Sequence, residues 1–446
     1  MNVIAFHELG ARHLLAYHVS LKGGVVRLNQ RGTSPASKPE VTLKYVCSLI
    51  PRRFARVALC SALVMVGGLF SSSTQAQTGN TPFPQPTELQ HGPPLSSQEF
   101  VRTLYQLPKH PEERDKLIDD IRKRGIAFPL TDGLRSLVAT KSGNDADLRH
   151  TLEEANRRRT NPIVASLPPS AEGIELLERT RKATLGAAER MPDFLVKQNI
   201  TRYVAYGNTR NWQPDDRMTV AVSYRQNAGE QYKLLSVNGM APSEEARESS
   251  TYGDKLGGTT SSGEYVSILS ELFKPETQAE FQMVDTDTLR GRRTIIYEYA
   301  VKRELSHQMI KWAGSRTVVV GFRGRIWIDR ETNRVLKLED ISTEIPNDFP
   351  VTAASSTIDY DWVNINETQH LLPLRAVVEL SARVGSQTIQ SRNEILFRGY
   401  RKFGAEVKII DIDEKDFPSE TPEEREPPRP ETPPVLKPQP PKKPNS

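Results

Sequence analysis

The chain reads as an α+β protein: a large, strongly curved antiparallel sheet of about ten or eleven strands, covered by helices and preceded by a small all-α module. Three observations predict it. From Phe194 to Ile412, apolar residues recur mainly at every second position, the period of a strand with one buried face. Short turns bearing Gly or Asn separate these runs, so successive strands pair antiparallel. Between residues 97 and 159 the period is instead that of short amphipathic helices.

Taken in order, residues 1–76 are an upstream extension and a secretory signal. Arg52, Arg53 and Arg56 precede the apolar run 57–70, and Thr74 and Ala76 suit the small positions of a cleavage site, so cleavage falls near Ala76. The run is shorter than the ~20 residues a membrane-spanning helix needs. This leader holds 9 Lys and Arg against 2 Asp and Glu, leaving 51 basic and 53 acidic residues over 77–446. The formal charge of +5 therefore belongs to the leader, and a nucleic-acid partner loses its support. Both cysteines, Cys47 and Cys60, also lie there, so the remainder has no disulfide, thiol nucleophile or thiolate metal site. A mean hydropathy of −0.52 excludes a polytopic membrane protein.

Residues 77–96 are a Pro- and Gly-rich linker. The helical module follows over 97–159. Ser97 is placed to cap the first helix, Pro111 precedes a second with Leu117, Ile118 and Ile121 on one stripe, Thr131 opens a third and Asn144 or Asp145 a fourth. After a linker with Pro162, Pro168 and Pro169, the sheet domain spans 170–412. It opens with a long amphipathic helix from Ser170 to about Arg190, with Ile174, Leu177, Ala183 and Leu185 near one face. Strand runs follow, among them Met218–Tyr224, broken by a polar loop or flap over 243–262 and by a helix that Ser262 would cap.

The clearest unit is the hairpin over 316–345. Val318, Val320, Phe322, Ile326 and Ile328 share one phase; Arg323, Arg325, Trp327 and Asp329 take the other. Arg330–Asn333 makes the turn, with Asn333 able to take positive φ, and Leu336 and Leu338 lie on the return strand. Beyond the sheet, 413–446 is a disordered tail; residues 418–446 hold 11 of the chain's 32 prolines.

Chemical motifs are sparse. There is no GxSxG elbow, phosphate loop, HExxH or CxxC, and the histidines of 77–446 do not stand at ligand spacing, so no catalytic residue, metal site or cofactor is assigned. Asp285 with Asp287, and Asp359 with Asp361, each share a strand face and read as solvated pairs; a carboxylate-dependent hydrolase built on them is the third-ranked function. The inward phase is more informative: Tyr224, Phe281, Tyr297, Tyr299, Phe322, Tyr360 and Trp362 would line a cavity for an apolar ligand.

Residues 170–412 resemble the superfamily of periplasmic lipoprotein carriers and outer-membrane lipoprotein-sorting proteins. The likeness rests on the leading helix, the long antiparallel run, the helix near GEYVSILSELF, and the hairpin GRIWIDRETNRVLKL. It implies a half-barrel closed by helices over a lipid-binding cavity, without catalysis. LRGRRTIIYEY, FRGYRKFGAE and RGIAFPLTDGL further resemble a group of uncharacterised exported bacterial proteins. The expectation is an exported protein, periplasmic or outer-membrane-associated, that binds a lipid, a lipoprotein acyl chain or another hydrophobic ligand. The alternative is a structural or assembly protein of the envelope with a filled core, meeting an envelope partner through its helical module or Pro-rich tail.

Overall fold

Ten strands form one open, curved antiparallel sheet in the computed structural model, which describes residues 3–7, 92–163, 165–242, 258–265, 267–313, 316–404 and 409–417. In chain order the elements are β1 (Val3–His7), the module helices α1 (Ser97–Gln106), α2 (Arg114–Arg124), α3 (Asp132–Lys141) and α4 (Ala146–Thr160), and the long helix α5 (Ser170–Glu189). Then come β2 (Phe194–Tyr206), β3 (Gln213–Arg225), β4 (Gly229–Val237), β5 (Gly258–Ser262) and the short helix α6 (Ser267–Phe273). The rest is β6 (Glu280–Leu289), β7 (Arg292–Val301), β8 (Met309–Trp312), β9 (Arg316–Val319), β10 (Gly321–Asp329), β11 (Arg334–Thr343), β12 (Val351–Ile365), β13 (Thr368–Val384) and β14 (Gln387–Lys402). The large sheet runs β4-β3-β2-β14-β13-β12-β11-β10-β7-β6, so the last strand pairs with the first strand of the domain.

The inner face carries the main core. Leu234 on β4 and Tyr297 on β7, near opposite edges of the sheet, belong to one apolar cluster with the central strands, as curvature requires. Helices α5 and α6 cover this face through Leu176, Ile268, Leu269, Leu272 and Phe273. Helix α5 buries Gly173, Leu176 and Thr180, while Ile174 points to solvent. The register turns at Gly173, where an added Cβ would lie 2.7 Å from Met283 Sδ; the missing side chain lets the helix touch the sheet.

A second, four-stranded sheet, β5-β1-β8-β9, also meets the inner face. Ile310 and Trp312 of β8 join the main core, the Asn393 amide donates to the Thr259 carbonyl at 2.6 Å, and the Gln308 amide donates to Asp340 at 2.9 Å. Part of the expected 243–262 loop is therefore strand β5, and α6 starts at Ser267 rather than after Ser262. Residues 243–257 lie outside the described residues. The expected single strand from Val318 to Ile328 is divided: Arg316–Val319 pairs within the small sheet, and Gly321–Asp329 within the large one. Val3–His7, in the expected upstream extension, lies between β5 and β8, antiparallel to the first and parallel to the second. The apolar run 57–70, the cleavage site and the tail from 418 lie outside the described residues. Among the described residues no helix is long and apolar enough to cross a membrane.

The outer face carries the helical module. Ser96 rather than Ser97 caps α1, and Thr131 and Asp145 cap α3 and α4. Phe100, Leu104, Leu117, Ile121, Leu148 and Leu152 form the module's own core. Its contact with the sheet is charged: His150 reaches Asp287 at 3.0 Å, Arg158 reaches Asp285 at 2.5 Å, Lys337 reaches Asp147 at 3.6 Å, and Arg122 reaches Glu339 at 3.5 Å. Trp327 lies beneath, its indole N–H donating to Asp287 at 2.8 Å, with the Lys337 ammonium 4.9 Å and the Arg122 guanidinium 5.8 Å from the ring. At the β2–β3 end of the sheet, Phe403, Ile412 and Phe417 cover Leu195 and Ala221.

Candidate functional site

Over its last turns α5 keeps contact with the sheet through Leu185, which packs on the main core, and through the Ala183 carbonyl, which accepts from Arg334 at 2.5 Å. A pocket of about 380 Å³ opens between its last turn, the start of β11 and the β12–β13 hairpin end. Its apolar wall is Ala187, Ala188, Met191, Leu269, Val335, Trp362 and Leu371, with Tyr265 beneath; Met191, Tyr265, Leu269 and Val335 belong to the main core. Its polar lining is Thr184, Arg190, Arg334, Thr368, Gln369 and His370. Small residues along α5 leave this volume free. Burial lowers the basicity of His370, which favours its neutral form.

Of the seven aromatic residues singled out from the sequence, Trp362 lines this pocket. The other six lie in core contacts. Tyr224 stacks on Phe194 with ring centroids 5.2 Å apart, and Phe281 stacks on Phe273 at 5.6 Å. Tyr299 meets Phe322 edge-on at 6.1 Å, and its hydroxyl donates to Asp340 at 2.9 Å. The Tyr297 hydroxyl donates to the Gly173 carbonyl at 2.7 Å, and that of Tyr360 to the Glu264 carbonyl at 3.3 Å. Burial pushes the Tyr297 phenol up to about 12. These hydroxyls are anchored to backbone or to one buried carboxyl.

Two further carboxyls lie inside this core. Glu230 accepts hydrogen bonds from the Gly263 amide at 2.9 Å and the Tyr232 hydroxyl at 2.5 Å. Glu264 is 3% exposed; neither carboxyl oxygen has a partner at full hydrogen-bond geometry, and the Ser261 hydroxyl gives it only weak support. Burial, then the Glu230 charge, pushes the Glu264 carboxyl up to about 7. Burial likewise raises Asp340 to about 6, against the hydrogen bonds from Gln308 and Tyr299.

Asp285 and Asp287 are engaged, not solvated as the alternation implies, because α4 covers the outer face of β6, whereas Asp361 stays partly exposed. Asp287 is buried against His150 and Trp327, and Asp285 is held by Arg158. Burial works against its charge, yet His150 and Trp327 hold the Asp287 carboxyl well below the carboxylate range. Asp361 lies 3.6 Å from Arg290, and burial raises Asp359 against the pull of Lys337. None of the four lines the pocket. Among the described residues no group of three His, Cys, Asp or Glu side chains is placed to hold a metal ion.

No family model and no known curated protein matches the chain. The structure is similar to a LolA superfamily protein from Nitrosomonas europaea at 13% identity, over 54% of this chain and 97% of that one, with a TM-score of 0.22. An outer membrane lipoprotein-sorting protein domain from Vibrio parahaemolyticus matches at 11% identity over 54% and 94%, with a TM-score of 0.24. A DUF1329 family protein from Desulfovibrio piger matches at 10% identity over 54% and 99%, with a TM-score of 0.24.

Proposed function

We propose that this chain binds a lipid, acyl chain or other apolar ligand non-covalently in the pocket at the end of α5, in the periplasm or at the outer membrane, after export through a signal whose cleavage near Ala76 would take β1 out of the small sheet. The observation that carries the reading is the pocket itself. Its apolar wall is continuous with the main core, and it opens at the end of a face on which the described aromatic residues are otherwise in core contacts. Burial of acyl CH₂ groups would supply about 0.8 kcal/mol each. The expected site then shifts toward one end of the sheet: Trp362 contacts the ligand, while Tyr224, Phe281, Tyr297, Tyr299, Phe322 and Tyr360 form the support behind it. The test is native mass spectrometry with lipid extraction on the full chain and on Ala187→Phe, which fills the pocket from the helix side. A stoichiometric lipid on the wild type, lost in the variant with unchanged circular dichroism, supports the reading. A wild type that carries no lipid and takes up none refutes it.

One observation favours the structural alternative: the inner face under α5, α6 and the small sheet is packed, with its tyrosine hydroxyls hydrogen-bonded. An envelope protein that docks on the helical module or on the tail would then be the ligand, and a lipid-free chain that retains this partner would favour that reading.

A further inference from the structure

The pocket has a cationic end that the core does not need. Arg190, the residue after α5, folds back over the helix, with its Nη1 3.4 Å from the position a Cβ on Gly186 would take. Arg334, the first residue of β11, donates through Nη1 to the Ala183 carbonyl at 2.5 Å and is partly buried. Both line the pocket, whose lining contains no Asp or Glu. Among the described residues, no carboxylate lies within ion-pair distance of either guanidinium, although elsewhere in this chain the buried Arg202 and the half-buried Arg114 are matched by aspartates. Burial, and then the charge of Arg190, work against the charged form of Arg334. Two like charges meeting at the rim of an apolar pocket are an arrangement that an anion would relieve.

We infer that the ligand is an anionic amphiphile, its oxyanion headgroup held between Arg190 and Arg334 and its chain laid against Met191, Leu269, Val335 and Trp362. This rests on the reading of the pocket as a ligand site and adds the chemistry of the head. Guanidinium forks match phosphate or carboxylate oxygens, and the Thr184, Thr368 and Gln369 side chains at the same rim supply further polar groups.

The test is calorimetric titration of the full chain with decyl phosphate, decanol and inorganic phosphate at low salt. Decyl phosphate is expected to bind at least about tenfold tighter than decanol, and the advantage to shrink as salt rises. Arg334→Gln should remove that advantage and Arg190→Gln should reduce it, with decanol binding unchanged in both. Arg190 is exposed, so its variant keeps the test decisive if Arg334→Gln unfolds. Equal binding of decyl phosphate and decanol, or a preference that survives both substitutions, overturns the inference and leaves the apolar pocket standing. Inorganic phosphate binding as tightly as decyl phosphate overturns the amphiphile in favour of a free anion. If neither decanol nor decyl phosphate binds, the pocket reading falls together with the inference.

Discussion

Replacing Glu264 by Gln should raise the protein's stability relative to wild type as the pH climbs from about 4 to about 8. Glu264 sits in the core with Glu230 and the phenols of Tyr265 and Tyr360 around it, and its carboxyl oxygens have only weak support, from the Ser261 hydroxyl and the backbone. Burial and the Glu230 charge lift the carboxyl from its ordinary 4.5 to about 7. Below about pH 4 the group is neutral in the folded and the unfolded chain, and it contributes nothing to the pH dependence. Between 4.5 and about 7 the unfolded chain ionises while the folded chain stays protonated, so stability falls as pH rises; above about 7 the loss is complete. The gap between those two values corresponds to about 3 kcal/mol. An amide has no such titration. The variant should therefore gain about 3 kcal/mol relative to wild type on going from about pH 4 to about pH 8, whatever fixed cost its buried NH₂ group brings. Urea unfolding of both proteins across that range measures the difference directly. A difference in stability that does not change with pH would refute the claim that burial outweighs the support this carboxyl receives.

The outer face should show the opposite pH sense. Burial disfavours the His150 cation, but Asp287 beside it overrides this and raises its basicity above the ordinary 6.5. A raised histidine stabilises fully below about 6.5 and loses that contribution as pH climbs through its folded value, so His150→Gln should destabilise by about 1 kcal/mol more at about pH 5 than at about pH 9. Unfolding midpoints at the two pH values check it. Two glycines should respond in opposite directions. A Cβ at Gly324 would sit 1.8 Å from the Glu339 carbonyl oxygen and 2.8 Å from the Tyr299 hydroxyl, so Gly324→Ala should cost about 3 kcal/mol or more. At Gly133, in the first turn of α3, nothing lies within 4 Å, and Gly133→Ala should stabilise by about 0.5 kcal/mol; denaturant unfolding of the pair reads both.

Much of the fold was legible because period two reports burial on one face, and the inner face obeys it. Val220 and Val222 on β3, Ile326 and Ile328 on β10, and Ile358 and Tyr360 on β12 all enter the core as the alternation indicates. Asn333 takes the positive φ its turn needs, at 54°. What period two does not report is a second layer. Trp327, Lys337 and Asp287 stand in the polar phase and are nevertheless buried, because α2 and α4 arrive from far upstream to cover that face. Their buried state depends on charges paired across the interface, which no local window of sequence shows. Strand β5 was hidden for a related reason. Gly258–Ser262 has no apolar residue to mark it, and its Thr259 makes polar contacts with Ser391 and Asn393 on β14. In the site, Trp362 could be read from its phase. Arg190 and Arg334 could not, since each is an ordinary surface-type residue until the fold brings the end of α5 beside the start of β11.

Core closure and pocket opening follow from one helix. At its first turns α5 lies against the sheet: Gly173 has no side chain to hold it off, Tyr297 donates to its carbonyl, and Leu176 and Thr180 are buried below. Toward its end Leu185 still packs on the core, while Thr184, Ala187 and Ala188 line the pocket and are too small to fill the space beside Val335 and Leu371. Large apolar residues there would have extended the core to the hairpin end; small ones leave about 380 Å³ open instead. The sheet itself opens there: Arg334 and Val335 pair with Asp329 and Ile328 of β10, while the pairing of β11 with β12 begins only at Lys337 and Asp359. A tight contact at one end of α5, small residues at the other and the missing β11–β12 pairing beside Val335 therefore place the cavity beside Trp362 and the two arginines.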